Sequence, residues 1–302
     1  MTQENGNAGA LGALGILAGV WGYNWVVMKI ALNYAGPFQF AAMRSGGAAL
    51  SLMLLLVLLR QPLRPRHALR TAALGMLQTA GFVSLITWAL SSGGAGKTSV
   101  LAFTMPFWVL LFARMFLGER VRGLQWLAVA LAFAGLMLII QPWQMNASVV
   151  SSLLAVAAGV SWGASVIVAK KIPVENRWQL LSLTAWQMLM GASVLVVLAL
   201  LVPAPPVQWN AYFIGALAYN IIPANALAWL LWLYILQKLP AGLSGLSSLV
   251  VPVVGVCSAW LQLGERPGAL EGTGMLMIIL ALALISLRSM VLTRETRRRT
   301  TR

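Results

Sequence analysis

Four short stretches set hydrogen-bonding and aromatic side chains inside otherwise apolar sequence. "WGYNWVVMK" (21–29) places Asn24 between Trp21 and Trp25, one helical turn apart. "VSWGAS" (160–165) offers Trp162 and Ser165, and "LQTAG" (77–81) offers Gln78 beside Thr79. "AYNIIPANALAW" (218–229) carries Tyr219, Asn220 and Asn225 around Pro223. An amide both donates and accepts, and an indole presents a flat face, so these residues suit a zwitterion or an aromatic ring. The chemistry is recognition without bond making. Aspartate is absent, and the single histidine, His67, lies in a basic loop. General acid–base and metal chemistry therefore lack their usual groups, and no enzyme, metal or cofactor is expected. No phosphate-binding glycine loop is present either, so direct ATP drive would need another subunit.

The elements that hold these residues follow from composition. Of 302 residues, 60% are hydrophobic and 9% charged, too few polar side chains to cover a soluble fold of this size. Apolar segments fall at about 10–31, 37–59, 70–91, 95–116, 123–141, 149–169, 179–202, 211–236, 240–262 and 269–288. Each is near the ~20 residues that span a bilayer. The net charge of +15 sits in short connections such as "RQPLRPRHALR" (60–70), "KKIPVENR" (170–177) and the tail "RETRRRTTR" (294–302). That is the positive-inside pattern and not a nucleic-acid footprint, and it predicts both termini in the cytoplasm. The N-terminus has no basic region before its first apolar run, so that run reads as a retained helix. Cys257 is alone and forms no intramolecular disulfide.

A repeat organises the ten segments. "LGER" occurs at 117–120 and again at 263–266, an offset of 146 shared by Pro106 and Pro252 and by Ala95–Gly96 and Ala241–Gly242. The offset drifts at the loops, where "VWG" (20–22) matches "VSWG" (160–163). The chain thus divides into a tail at 1–9, five-helix halves at 10–141 and 149–288, and a basic tail at 289–302. Five is odd, so the second half is inverted. One LGER then faces the cytoplasm and the other the outside, each pair neutralising itself and anchoring a helix end at the headgroups.

Within this frame the polar residues have two readings each. Asn24 either meets a substrate or bonds a neighbouring helix, with Gly22 permitting close approach. Pro223 lacks an N–H and kinks its helix, and Asn220 and Asn225 either bind substrate or satisfy the broken backbone. By the offset Asn225 corresponds to Thr79, beside Gln78, which puts two polar clusters at one depth as the candidate binding level. Pro106 and Pro252 are paired kinks suited to gating or to close packing. Lys29 and Lys170 read as snorkelling cations. Arg44 lies about 10 Å into its helix and should point into the bundle, for structure more than for a substrate carboxylate. Trp143, Trp178 and Trp209 read as interfacial anchors. Trp88, Trp162, Trp229 and Trp232 lie deeper and offer stacking faces or lipid-facing packing.

Two inverted five-helix repeats, each with a proline followed by LGER, resemble the EamA-type branch of the drug/metabolite transporter superfamily. The WG pairs, the A-G pairs and the arginine of "AAMRSGG" (41–47) match it too. The resemblance covers nearly all of 10–288, and the Trp-rich helices look most like bacterial aromatic amino-acid exporters. It implies an all-α membrane protein of ten transmembrane helices around a central cavity, bounded by helices one, three, four, six, eight and nine, with five and ten peripheral. It also implies a monomeric secondary transporter in the bacterial inner membrane, exporting amino acids or similar small metabolites by alternating access. A multidrug or other metabolite exporter of the same fold is the alternative, with a channel behind it. The small multidrug-resistance relatives carry a glutamate in their first helix. This chain has six glutamates (4, 119, 175, 265, 271 and 295), all at ends, loops or tails, so transport without proton coupling is expected. The substrate site is expected at Trp21, Asn24, Gln78, Trp162, Ser165, Tyr219, Asn220 and Asn225, with gating at Pro106, Pro223 and Pro252.

Overall fold

The computed structural model describes residues 2–118, 123–141, 143, 147–232 and 241–300. Their regular structure is helical throughout. In chain order the segments are α1 (Thr2–Ala31), α2 (Pro37–Leu58), α3 (Ala68–Ser92), α4 (Ala95–Ala102 continuing as Met105–Leu117) and α5 (Leu124–Ile140). The second half follows as α6 (Ala147–Lys170), α7 (Arg177–Leu201), α8 (Ala211–Trp232), α9 (Ala241–Leu263) and α10 (Ala269–Thr300). Six of them, α2, α3, α4, α6, α7 and α8, are long and apolar enough to cross a membrane. Helices α1 and α10 extend through residues 2–9 and 289–300, where the sequence places the two tails.

Local chemistry sets the ends. Asn176 caps α7 by accepting from the N–H groups of Trp178 and Gln179 at 3.1 and 3.0 Å, and Asn210 caps α8 through Phe213 N–H at 2.8 Å. Gly118 and Gly264 end α4 and α9 with φ of 67° and 66°. That left-handed turn is open to glycine at little cost, which explains the G of each LGER. The two prolines at the 146 offset behave differently. Pro106 follows a break in α4 at Phe103–Thr104, whereas Pro252 sits inside an uninterrupted α9.

The packing pairs the halves. Helix α2 lies on α7, α4 on α9 and α5 on α10, each the repeat mate of its partner. The contact of α1 with α9 is matched by α6 with α4, and that of α3 with α6 by α8 with α1. This is the arrangement expected of a twofold relation between inverted repeats. Helices α5 and α10 meet at Gly135 and Gly274, where a Cβ on either would come within 2.7 or 2.6 Å of the other's carbonyl oxygen. Exposed Leu54, Leu200, Leu261 and Leu276 cover the outside, as lipid contact requires.

Contacts between loops define two ends. Arg66 pairs with Glu175 at 3.7 Å and Arg70 donates to Lys171 O at 2.9 Å, so both basic connections share one end. At the other end Gln208 N–H donates to Tyr34 O at 2.8 Å. In a Cys257→Ser background, cysteines at 66 and 175 should react with an impermeant thiol reagent from one membrane face and one at 206 from the opposite face. Labelling of 66 and 206 from the same side overturns the topology. Position 145, which the sequence places with 206, lies outside the described residues.

Candidate functional site

The most informative local feature is a pair of π-helical turns, Met76–Gly81 in α3 and Ile222–Leu227 in α8. They fall at the same 146-residue offset that the sequence motifs set. A π turn inserts one residue into the ladder and is frequent at functional sites. In α8 the cause is Pro223, which has no N–H. Side chains bond carbonyls of and beside the turn. Asn225 Nδ2 donates to Asn220 O at 2.8 Å, and Trp21 Nε1 from α1 donates to Ala224 O at 3.0 Å. The α3 turn is met the same way from the other half, by Ser161 Oγ of α6 donating to Leu77 O at 2.7 Å. Each half's first helix therefore braces the π turn of the opposite half.

Between the two turns lies a cavity lined by α1, α2, α3, α4, α6 and α8. Trp162 of α6 is its hub. Its ring stands 5.8 Å from Trp21, 5.1 Å from Phe82, 5.3 Å from Phe103 and 6.0 Å from Trp229, mostly edge to face. Of seven buried side-chain polar atoms without a hydrogen-bond partner among the described residues, three gather here: Asn24 Oδ1, Trp162 Nε1 and Arg44 Nε. Their residues all line this cavity. An unpartnered buried polar atom costs about 1–3 kcal/mol, so each one favours a ligand group that completes it. The free space is about 40 Å³ for the centres of water-sized molecules, enough for a few waters. A larger molecule fits only if the indole rings separate.

Of the residues expected at the site, the structure brings Trp21, Asn24, Trp162 and Asn225 together on the cavity wall. The other four stand off it. Gln78 is buried in the α3 π turn but does not line the cavity. Ser165 Oγ donates to Trp162 O within its own helix, at 2.7 Å. Tyr219 Oη donates to Val20 O at 2.8 Å and ties α8 to α1. Asn220 Nδ2 donates to Ala216 O at 3.0 Å. Ser165, Tyr219 and the Nδ2 of Asn220 thus bond backbone carbonyls, while Asn220 Oδ1 is buried without a partner. Pro223 adjoins the wall through the turn it creates.

Sequence reasoning missed Trp25, Met28, Phe82, Ile86 and Phe103 on the wall, because apolar lining residues look like core. Trp229 and Trp232 are buried among the cavity rings and do not face lipid, whereas Trp88 is exposed. Arg44 lines the cavity as the sole α2 contributor, and α9 contributes no described side chain. Lys29 does not snorkel free; its Nζ donates to Leu90 O at 2.8 Å and joins α1 to the end of α3.

The LGER reading also needs correction. Glu265 does not spend its charge on the adjacent Arg266. Its Oε1 accepts from Ala95 N–H at 2.8 Å and its Oε2 from Gly96 N–H at 3.0 Å, so it caps α4 of the other half. A carboxylate at a helix N-terminus satisfies orphan N–H groups and meets the positive end of the helix dipole. Lys97 and Glu271, 2.7 Å apart, tie α4 to α10 beside it. Glu119 and Arg120 of the first LGER lie outside the described residues.

Comparison with known proteins agrees with this arrangement. The model of the EamA-like transporter family matches twice, over residues 9–141 and 150–287. The chain is 26% identical over 253 residues to the uncharacterized transporter YoaV of Bacillus subtilis (strain 168), covering 82% of this chain and 86% of that one. It is 28% identical over 276 residues to a probable amino-acid metabolite efflux pump of Escherichia coli (strain K12), covering 87% and 90%. A solved crystal structure shares the fold at a TM-score of 0.63 and 15% identity, over 95% of this chain and 99% of the other. With both halves matched, the chain belongs to the EamA-like transporter family.

Proposed function

We propose that this transporter exports amino acids, aromatic and other neutral ones, across the bacterial inner membrane by alternating access, as a monomer with both termini in the cytoplasm. The observation that carries the reading is the cage of Trp21, Trp162 and Trp229 around unpartnered donors and an unpartnered acceptor. Ring faces suit an aromatic side chain, and the polar atoms suit the charged end that every amino acid shares. The likeness to a probable amino-acid metabolite efflux pump supports the same substrate class. The π turns and the break at Pro106 supply the places where helices bend as one end opens and the other closes.

Among the described residues no glutamate lines the cavity, and Glu175, Glu265 and Glu271 are engaged at the two ends of the bundle. Transport is therefore uncoupled from protons. The test is flux of labelled phenylalanine, tryptophan and alanine in proteoliposomes with and without a pH gradient. Flux down the substrate gradient is expected in both conditions. Strict dependence on a proton gradient overturns the uncoupled mechanism, and no flux of any amino acid overturns the substrate class.

A further inference from the structure

We propose that Arg44 is the carboxylate receptor of the cavity. The inference rests on the amino-acid reading above and specifies which end of the substrate the site recognises first. Arg44 is 5% exposed and lines the cavity from α2. Its Nη1 donates to Met28 Sδ at 2.9 Å, and its guanidinium carbon stands 5.9 Å from the Phe40 ring centroid. Thioether sulfur is a weak acceptor. Its Nε has no partner at all.

A lone buried cation is costly in a membrane interior unless something anionic answers it. No described glutamate does. Glu175 bonds Arg66 and Gln179 at the basic end, while Glu265 and Glu271 are held by α4 and Lys97 at the other. Among the described residues the cavity thus carries a fixed positive charge and no fixed negative one. Guanidinium is planar with paired donors and matches a carboxylate bidentately. Asn24 Oδ1, unpartnered on the same wall, accepts from an ammonium, and the indole faces around it favour a cation. The arrangement selects an aromatic body with a carboxylate and repels amines that lack one.

Calorimetric titration of the purified protein in nanodiscs tests this with L-phenylalanine, L-phenylalaninamide, 3-phenylpropionate and phenethylamine. The wild-type protein should bind the two acids at least about tenfold more tightly than the amide and the amine. Arg44→Gln should bring the acid-to-amide ratio near one. Arg44→Lys, which keeps the charge without the fork, should retain part of it. Because the ratio is taken within one preparation, a loss of folded protein does not imitate the result. If Arg44→Gln does not fold, the wild-type and Arg44→Lys ratios decide. Equal binding of acid and amide by the wild-type protein, an unchanged ratio in Arg44→Gln, or no binding of either acid overturns the proposal. Binding of 3-phenylpropionate without L-phenylalanine keeps the Arg44 assignment and overturns the amino-acid reading. Equal binding of all four probes does the reverse.

Discussion

Trp162→Ala lowers the flux of phenylalanine and tryptophan at least about tenfold while alanine flux stays within about threefold. Trp162 touches Trp21, Phe82, Phe103, Trp229 and Trp232, so it is the ring that an aromatic substrate must displace and then stack upon. One aromatic contact is worth about 0.5–1.5 kcal/mol beyond burial, and about 1.4 kcal/mol is a tenfold change. Removing so large a buried side chain also costs about 3–5 kcal/mol of stability. Trp162→Phe separates the two effects. It keeps a ring for stacking and gives up the five-membered half of the indole with its unpartnered Nε1, so its aromatic flux should fall between those of wild type and Trp162→Ala. The measurement is proteoliposome flux normalised to monodisperse, inserted protein. An unchanged ratio of aromatic to alanine flux in Trp162→Ala would show that the hub is packing alone.

Depth in the membrane was more legible from the residues than side-chain direction. The 146-residue offset placed Asn225 opposite Thr79, and both π turns lie there. Polar residues in apolar runs led to Asn24 and Asn225 because only such residues stand out against lipid-like sequence. Side-chain direction was another matter. Each π turn adds a residue, which rotates all that follows by about 100° relative to a regular helix. No hydrophobic period announces that shift in α3, where no proline marks it. Gln78 was therefore placed on the wall by depth, and Tyr219 and Asn220 by proximity to Pro223. For Arg44 the inward direction was legible from cost alone, but not that it would find no counter-charge. The LGER and A-G motifs were both read, yet as separate marks. Their connection, the carboxylate of one half on the helix of the other, is a contact over about 170 residues that no local pattern encodes.

That connection makes Glu265 a latch at the end carrying residues 206 and 264–268, and Glu265→Gln should release it. The carboxylate gives one oxygen to Ala95 N–H and one to Gly96 N–H. Glutamine offers a single oxygen and turns an amide NH2 toward the other donor. Gly94 leaves room for the carboxylate, since a Cβ there would stand 2.9 Å from Glu265 Oε2, whereas a Cβ on Gly96 would first meet Val256 Cα at 3.3 Å. A hydrogen bond to a charged group contributes about 1.5–3 kcal/mol. Losing about 2 kcal/mol moves an open–closed equilibrium about thirtyfold. Ser99, fully buried one turn into α4, reports the opening. In a Cys257→Ser, Ser99→Cys background, Glu265→Gln should raise the rate of alkylation by an impermeant reagent from the face of residue 206 by at least about tenfold. Reactivity of a cysteine at 66, at the opposite end, should not change, which separates opening from general unfolding. Glu265→Asp keeps the charge on a shorter arm and should fall between. If Ser99→Cys reacts no faster in Glu265→Gln, the carboxylate only caps the helix, and the barrier at this end lies in the Lys97–Glu271 pair and the packing of α4 on α9.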